Sequence, residues 1–139
     1  MKRRCIVFIF VAALAGLATT STFSNAYGNY RYYAQWGSYG QKSGEFSQPF
    51  GLAVDSIRAD LYVADTYNHR VQVFHISNPC PQHTREITPG VCFVTMWGSY
   101  GTGNGEFKYP QGIGVDALGN IFVADTVNNR IQMFTQEDP

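Results

Sequence analysis

One unit of sequence occurs twice in this chain, and this duplication constrains the fold more than any other feature. Trp36-Gly-Ser-Tyr-Gly40 returns as Trp97-Gly-Ser-Tyr-Gly101. When residues 36–55 and 61–74 are aligned with residues 97–116 and 121–134, 20 of the 34 positions are identical, whereas average residue usage would give about 2. Duplicated units of this size bury their apolar faces by stacking on one another, which predicts a repeat architecture.

Each copy consists of short apolar segments that favour β-strands. Several of them alternate apolar and polar residues, as half-buried strands do, and Leu118-Gly119-Asn120 has the composition of a tight turn. No segment combines a helical period with capping residues, so the chain is predicted to be all-β. The predicted strands are Gly51–Asp55, Leu61–Asp65, Val71–Phe74 and Val91–Trp97 in the first copy, and Gly112–Asp116, Ile121–Asp125 and Ile131–Phe134 in the second.

The duplicated motif resembles a known repeat family. Both copies read Pro-x-Gly-(Leu/Ile)-(Ala/Gly)-Val-Asp, then (Tyr/Phe)-Val-Ala-Asp-Thr-x-Asn-(His/Asn)-Arg-(Val/Ile)-Gln-x-Phe, which is similar to the NHL repeat of β-propellers, commonly six-bladed. The resemblance covers residues 36–134 and implies a partial propeller of about two four-stranded blades within residues 27–139. Blade repeat 1 spans about 36–97 with an insert at 75–90, and blade repeat 2 spans about 98–134. The family includes RNA-binding and protein-binding propellers, sensors and a peptide-amidating lyase, so the fold does not fix the function.

The order of the predicted strands leaves the second blade open. Tyr30–Trp36 aligns with Val91–Trp97 and is predicted to be an outer strand, so an outer strand precedes one complete blade and one blade of three strands. An unpaired strand edge invites pairing with another chain, and head-to-tail contacts that close form a ring. We therefore expect a homo-oligomer, a trimer with six blades in which each chain lends Tyr30–Trp36 to its neighbour. The alternatives are completion by another propeller chain and a non-functional fragment of a longer propeller.

The first 26 residues have the layout of a secretory signal peptide. Positive charges at residues 2–4 precede an apolar run, and the small residues Ser24 and Ala26 precede a cleavage point. The run from Cys5 to Ala18 has 14 residues, fewer than the about 20 that cross a bilayer. The chain is therefore expected to be secreted or exposed at the cell surface. The alternative is an uncleaved N-terminal anchor, which is the one case in which we expect contact with a membrane.

Two cysteines remain after residue 26. Cys80 and Cys92 form an even set in an oxidising compartment, which favours a disulfide. The bridge would pin the insert His75–Gly90, whose prolines and glycine indicate an irregular loop. Structural zinc requires four ligands, which makes a metal site here the less favoured alternative.

The charge pattern argues against a nucleic-acid partner. Residues 27–139 contain seven basic and ten acidic residues, a net charge of −3. The lysines and arginines are scattered singly, whereas a surface that tracks phosphates needs them clustered. We therefore expect no binding to nucleic acid.

Carboxylates recur once per repeat, in a setting that favours a structural role. Asp65 and Asp125 each end a strand before a turn and precede an arginine by five residues. Such carboxylates bond to the local backbone, and an arginine adds a bidentate contact. A catalytic acid is rarely needed in every repeat, so no catalytic residue is predicted. The predicted structural motif is Asp65, Asn68 and Arg70 in the first copy, and Asp125, Asn128 and Arg130 in the second.

Aromatic residues in loops and turns are the candidates for ligand binding. They are Tyr39, Tyr67, His69 and Tyr100. The family resemblance places their loops on one face of the disc, where the rings and hydroxyl groups suit a protein or peptide, with a glycan as an alternative ligand. The competing interpretation is that the tyrosines only cover an aromatic core.

No pattern of reactive residues favours an enzyme. The chain lacks a Ser-His-Asp spacing signature, a phosphate loop and a carboxylate cluster for calcium, so no metal and no cofactor are predicted. We predict a binding or assembly module. The alternative is part of a lyase-like propeller enzyme whose site is completed by other blades.

Overall fold

Two antiparallel β-sheets, one from each copy of the repeat, form the fold of the described chain. The computed structural model describes residues 31–136, and both sheets lie within residues 34–136. The all-β prediction is confirmed, whereas the predicted signal peptide at residues 1–26 lies outside the described residues. Within the described range, no helix is long and apolar enough to cross a membrane.

The first sheet has five strands in the order β1-β2-β3-β5-β4, with every neighbouring pair antiparallel. The predicted strand Val91–Trp97 is confirmed with the same bounds, and the other predicted strands of this copy are confirmed within two residues. The strands are β1 (Pro49–Asp55), β2 (Asp60–Asp65), β3 (Arg70–His75), β4 (Arg85–Thr88) and β5 (Val91–Trp97).

The second sheet has three strands in the order β6-β7-β8. These are β6 (Pro110–Val115), β7 (Ile121–Asp125) and β8 (Arg130–Phe134), which confirms the three predicted strands within two residues. Among the described residues, β8 is the outer edge of this sheet.

A short 3-10 turn joins the second and third strands of each copy. Thr66–Asn68 links β2 to β3, and Thr126–Asn128 links β7 to β8. The residue after each turn has a left-handed backbone, with φ of 55° at His69 and 54° at Asn129. Asparagine and histidine are among the few non-glycine residues that adopt this conformation readily. The two copies therefore share one backbone at a position where their side chains differ.

A buried apolar layer lies between the two sheets. Burying a large apolar side chain contributes about 1.5–3 kcal/mol, so this layer accounts for much of the affinity of one sheet for the other. Its buried members are Tyr62, Val71 and Val73 from the first sheet, and Phe107, Ile121 and Val123 from the second copy. Successive strand residues point to opposite faces, and Val63 therefore belongs to a separate cluster with Phe74 and Val91 on the other face of the first sheet.

The predicted outer strand Tyr30–Trp36 has no pairing partner among the described residues of this chain. Residues 31–36 have no strand assignment, while Tyr30 lies outside the described range. The backbone of residues 31–33 is irregular. A strand exists only by hydrogen bonding to a neighbour, and no described strand pairs with this segment.

The interpretation of His75–Gly90 as an irregular loop is wrong in part. His75 belongs to β3, and Arg85–Thr88 forms β4, which pairs with β5 across a turn at Gly90 with φ of 83°. Ile87 of β4 packs against the cluster of Val63, Phe74 and Val91. The first sheet therefore has a fifth strand, whereas the prolines around it had favoured an irregular loop.

Candidate functional site

A buried carboxylate organises the loop that leads into the first sheet. Asp65 is fully buried, and its Oδ2 accepts hydrogen bonds from Asn68 at 2.9 Å, Arg70 Nε at 2.7 Å and Gln72 at 3.0 Å. Its Oδ1 accepts the backbone N–H of Ser47 at 2.8 Å. Both carboxylate oxygens are thus engaged in charge-assisted or neutral hydrogen bonds, which tie the loop to the sheet.

The arginine and glutamine of this network hold the loop backbone. Arg70 donates to the carbonyl oxygens of Gln41, Lys42 and Glu45 at 2.6–3.1 Å. Gln72 also donates to the Glu45 carbonyl, at 2.7 Å. Residues 40–47 therefore wrap around side chains of their own sheet, which fixes the position of the loop.

The second copy repeats this network with one difference in exposure. Asp125 is also fully buried and accepts from Asn128, Arg130 and Gln132 at 2.8–3.2 Å. The Arg70 side chain is 9% exposed, but the Arg130 side chain is 29% exposed. Burial alone would raise the pKa of Asp125, but the hydrogen bonds from the Lys108 N–H, Asn128 and Arg130 outweigh it and lower the pKa.

Four aromatic rings meet where the turn of the first sheet touches the loop before β6. We name this set the His69 cluster; its members are Tyr67, His69, Tyr100 and Tyr109. The His69 ring lies 4.9 Å from the Tyr100 ring and 4.6 Å from the Tyr109 ring, and Tyr67 lies 5.1 Å from Tyr109, all edge to face. This is a favoured geometry for aromatic pairs, so the four rings form one surface across the two copies.

A hydrogen bond fixes the His69 ring in one orientation. The backbone N–H of Tyr109 donates to His69 Nδ1 at 3.2 Å, which places the proton of the neutral ring on Nε2. Burial lowers the pKa of His69 from its ordinary value of 6.5. The turn is tied further to the second copy by Thr66 Oγ1, which donates to the Pro110 carbonyl at 2.7 Å.

The outer side of the His69 cluster is accessible and carries a cation. Tyr67 and Tyr100 are exposed, and the Lys108 ammonium lies 5.4 Å from the centre of the Tyr100 ring, within the range of a cation–π contact. The surface can therefore offer flat rings, an imidazole N–H and a positive charge to one bound group.

The structure brings together three of the four ligand candidates named from the sequence. Tyr67, His69 and Tyr100 are in the His69 cluster, whereas Tyr39 is 88% exposed and takes part in no ring contact among residues 31–136. Tyr39 is the counterpart of Tyr100 in the first copy. Among residues 31–136, however, no histidine ring packs against it as His69 packs against Tyr100.

Sequence reasoning missed Tyr109 and Lys108. Both lie just before Pro110, at positions where the first copy has Ser47 and Gln48. An alignment of the two copies emphasises shared residues, and these two differ between the copies. The available signal was that a second aromatic residue stands close to Tyr100 in the same loop.

A disulfide joins Cys80 to Cys92, with Cα atoms 5.6 Å apart. It links the segment after β3 to β5 and so ties the interior of the insert to the first sheet. Within residues 31–136, no three His, Cys, Asp or Glu side chains are grouped so that they could hold a metal ion.

Comparisons with known proteins agree with the duplicated architecture. The family model for the NHL repeat matches residues 46–74 and 107–134. Peptidyl-glycine alpha-amidating monooxygenase A of Xenopus laevis is 32% identical over 97 residues, 66% of this chain and 9% of that protein. Protein brain tumor of Drosophila melanogaster is 29% identical over 107 residues, 76% of this chain and 9% of that protein. NHL repeat-containing protein 3 of Homo sapiens is 32% identical over 81 residues, 57% of this chain and 22% of that protein.

This chain thus spans between about a tenth and a fifth of the length of these relatives. Each matched segment runs from a loop phenylalanine through the three strands that the two sheets have in common. The chain therefore belongs to the NHL-repeat proteins, and its two sheets are two blades of a β-propeller.

Proposed function

We propose that this protein is an interaction module that binds a protein or peptide at the His69 cluster. The observation that carries the proposal is the contact of four aromatic rings across the junction of two blades, with Tyr67 and Tyr100 exposed. Aromatic side chains that are half exposed and held by neighbours contribute strongly to binding because little side-chain entropy is lost.

The chemistry of the His69 cluster favours a particular kind of ligand segment. The tyrosine rings suit an apolar or aromatic side chain, and the His69 Nε2–H can donate to a carbonyl oxygen. Lys108 adds a positive charge over the Tyr100 ring, which favours a neighbouring carboxylate. A glycan that carries an acid group is the alternative ligand.

We propose that the protein acts outside the cytoplasm, secreted or at the cell surface. The Cys80–Cys92 disulfide supports this location, because disulfides persist in oxidising compartments. The signal-peptide pattern of residues 1–26 supports export, with an uncleaved anchor as the alternative.

Peptide selection followed by matched tyrosine variants tests the binding proposal. Random peptides displayed on phage are selected on the wild-type protein, and the dissociation constant of a selected peptide is measured by fluorescence anisotropy. Tyr100→Ala is expected to weaken binding about tenfold or more, and Tyr39→Ala, the same position in the first blade, is expected to leave it unchanged. Equal losses in both variants, or a Tyr100→Ala variant that loses stability but binds normally, contradict the proposal.

We also propose that further blades complete the propeller. A blade buries both faces only between neighbours, and large apolar side chains such as Leu52 and Ile131 are exposed on the outer faces of the two blades. A lyase-like enzyme whose site is assembled from several blades is the alternative function. Its test is metal content of the purified protein together with turnover of glycine-extended peptides.

A further inference from the structure

The contacts between the two blades of one chain indicate how a blade of another chain would pack against them. On the first blade, the contacting face contains Tyr62, Val71 and Val73, which are almost completely buried. Gly51 of this face lies so close to the second blade that a Cβ atom there would overlap the carbonyl oxygen of Gln111. The two blades therefore meet through opposite faces. The face that carries Tyr62, Val71 and Val73 in the first blade packs against the other face of the second blade.

Each blade leaves open the face that the other blade uses. Val71 has an exposed fraction of 0%, but its counterpart Ile131 is 65% exposed, and Met133 and Phe122 are likewise more exposed than their counterparts Val73 and Tyr62. Conversely, Leu52 and Val54 are exposed, whereas their counterparts Ile113 and Val115 pack in the layer between the blades. The two open faces are thus the two halves of an interface that the chain already forms internally.

The outer edge of β8 corresponds to the edge of β3 that pairs with β5 in the first blade. In the first blade, Trp97, Thr95 and Phe93 of β5 face Val71, Val73 and Phe74 of β3. The Phe93 ring lies 5.9 Å from the Phe74 ring. Beside β8 there is instead a cavity of about 270 Å³, whose wall includes Ile121 and Phe134. An added strand would place a side chain against Phe134 as Phe93 lies against Phe74.

Residues 31–36 can supply the added strand, because they align with β5 and are not paired with another strand among the described residues. They align with residues 92–97, so Tyr32 takes the place of Phe93, and Tyr32 is 63% exposed in a stretch without strand pairing. The anchoring tryptophan is alike in both copies: Trp36 lies 5.7 Å from Phe74, and Trp97 lies 5.5 Å from Phe134.

We propose that the outer edge of β8 binds residues 31–36 of a second copy of this chain as an added antiparallel strand. The register follows from the template: Trp36 faces Ile131, Ala34 faces Met133, and Tyr32 lies against Phe134 in the cavity. The open face of the first blade of that copy then covers the open face of the second blade. This inference rests on the proposed completion of the propeller and names the partner and the paired strand.

Cysteine trapping tests the register. A chain with Ala34→Cys is mixed with a size-tagged chain with Met133→Cys, because the template residues Thr95 and Val73 are Cα partners and such partners suit a disulfide. A disulfide between the two chains is expected. The matched control replaces Ala34→Cys with Gln35→Cys, whose side chain points to the opposite face of the strand and is expected to remain unlinked.

Mass measurement tests the partner. The wild-type protein is expected to sediment as an assembly of two or more chains, and Tyr32→Gln is expected to raise the dissociation constant of the assembly about tenfold or more. Ile57→Gln introduces the same residue at another exposed apolar position, outside the paired strands, and serves as the control. Gly112→Ala is expected to block assembly, since Gly112 is the counterpart of Gly51 and its added Cβ meets only Ala124 within the chain, at 3.3 Å.

The outcomes separate this inference from the wider proposals. A monodisperse monomer at high concentration overturns it, as does a disulfide within one chain when Ala34→Cys and Met133→Cys are combined in the same protein. Assembly that Gly112→Ala blocks but that forms no interchain link also overturns the strand pairing, while it supports completion by the open faces. None of these results decides the peptide-binding proposal, which is tested separately at the His69 cluster.

Discussion

Replacing Asp65 with asparagine perturbs the most densely bonded carboxylate of the first blade. Asparagine keeps the volume but removes the charge, and it turns one acceptor oxygen into a donor group. Whichever way the amide turns, its NH2 group faces a donor. It meets either Asn68, Arg70 and Gln72, which lie 2.7–3.0 Å from Asp65 Oδ2, or the Ser47 N–H, which lies 2.8 Å from Oδ1. The Arg70 side chain is 9% exposed, so its guanidinium group would be left almost without water and without its counter-ion.

Breaking a buried ion pair at one partner costs about 3–5 kcal/mol, which is the loss in unfolding free energy expected for Asp65→Asn. Asp125→Asn breaks the equivalent bonds in the second blade, but the Arg130 side chain is 29% exposed and can regain water. We expect a smaller loss there, about 1.5–3 kcal/mol, the range for one hydrogen bond to a charged group. Domains commonly have about 5–15 kcal/mol of stability, so Asp65→Asn would remove a large part of it.

The assay is urea unfolding followed by circular dichroism at pH 7, with the slope m compared among the three proteins. One protein concentration is used throughout, because self-association would add to apparent stability. Equal losses for the two variants would refute the reasoning that burial of the arginine sets the cost. A loss below about 1 kcal/mol for Asp65→Asn would refute the structural role of the carboxylate itself.

Three further predictions concern His69, two glycines and the disulfide. Because burial lowers the pKa of His69, its neutral form contributes stability that is complete above about pH 6.5 and is lost as the pH falls to the lowered value; His69→Asn should remove this pH dependence in thermal unfolding. Gly98→Ala should destabilise the fold more than Gly105→Ala in the same assay, because both have positive φ but only the Cβ at 98 would lie 2.6 Å from a ring carbon of Phe107. Replacing both Cys80 and Cys92 with serine should lower the unfolding free energy by about 3 kcal/mol, measured by urea unfolding; an unchanged midpoint would show that the loop is constrained by β4 alone.

The sequence predicted the strands well where each strand is repeated. The alternation of apolar residues and the internal alignment place β2, β3, β7 and β8 to within one residue. The sequence did not predict β4, because Arg85–Thr88 has no counterpart in the second copy and lies among prolines. Pairing of a four-residue strand depends on the contact of Ile87 with a core formed by distant residues, and a local pattern carries no information on that contact.

The candidate site was predictable only in part, for a related reason. Tyr67, His69 and Tyr100 could be named because they stand in turns and loops, but their meeting with Tyr109 depends on how one blade lies on the next. The left-handed backbone at His69 and the hydrogen bond from the Tyr109 N–H fix the ring. Neither follows from spacing along the chain, and Tyr109 replaces a glutamine of the first copy.

The duplication also explains why the two blades differ in exposure although their sequences are so alike. Val71 and Ile131 occupy the same position of the same motif, yet one is buried by the neighbouring blade and the other is exposed. The difference therefore reflects what covers each face, and not the residue type. A side chain such as Ile131 that is exposed at a position built for burial adds to the apolar surface that proteins ordinarily cover with a partner. The face that covers Val71 within the chain has its counterpart on the first blade, around Leu52 and Val54. The proposed second copy would therefore cover Ile131 with the same type of contact that the two blades of one chain already make.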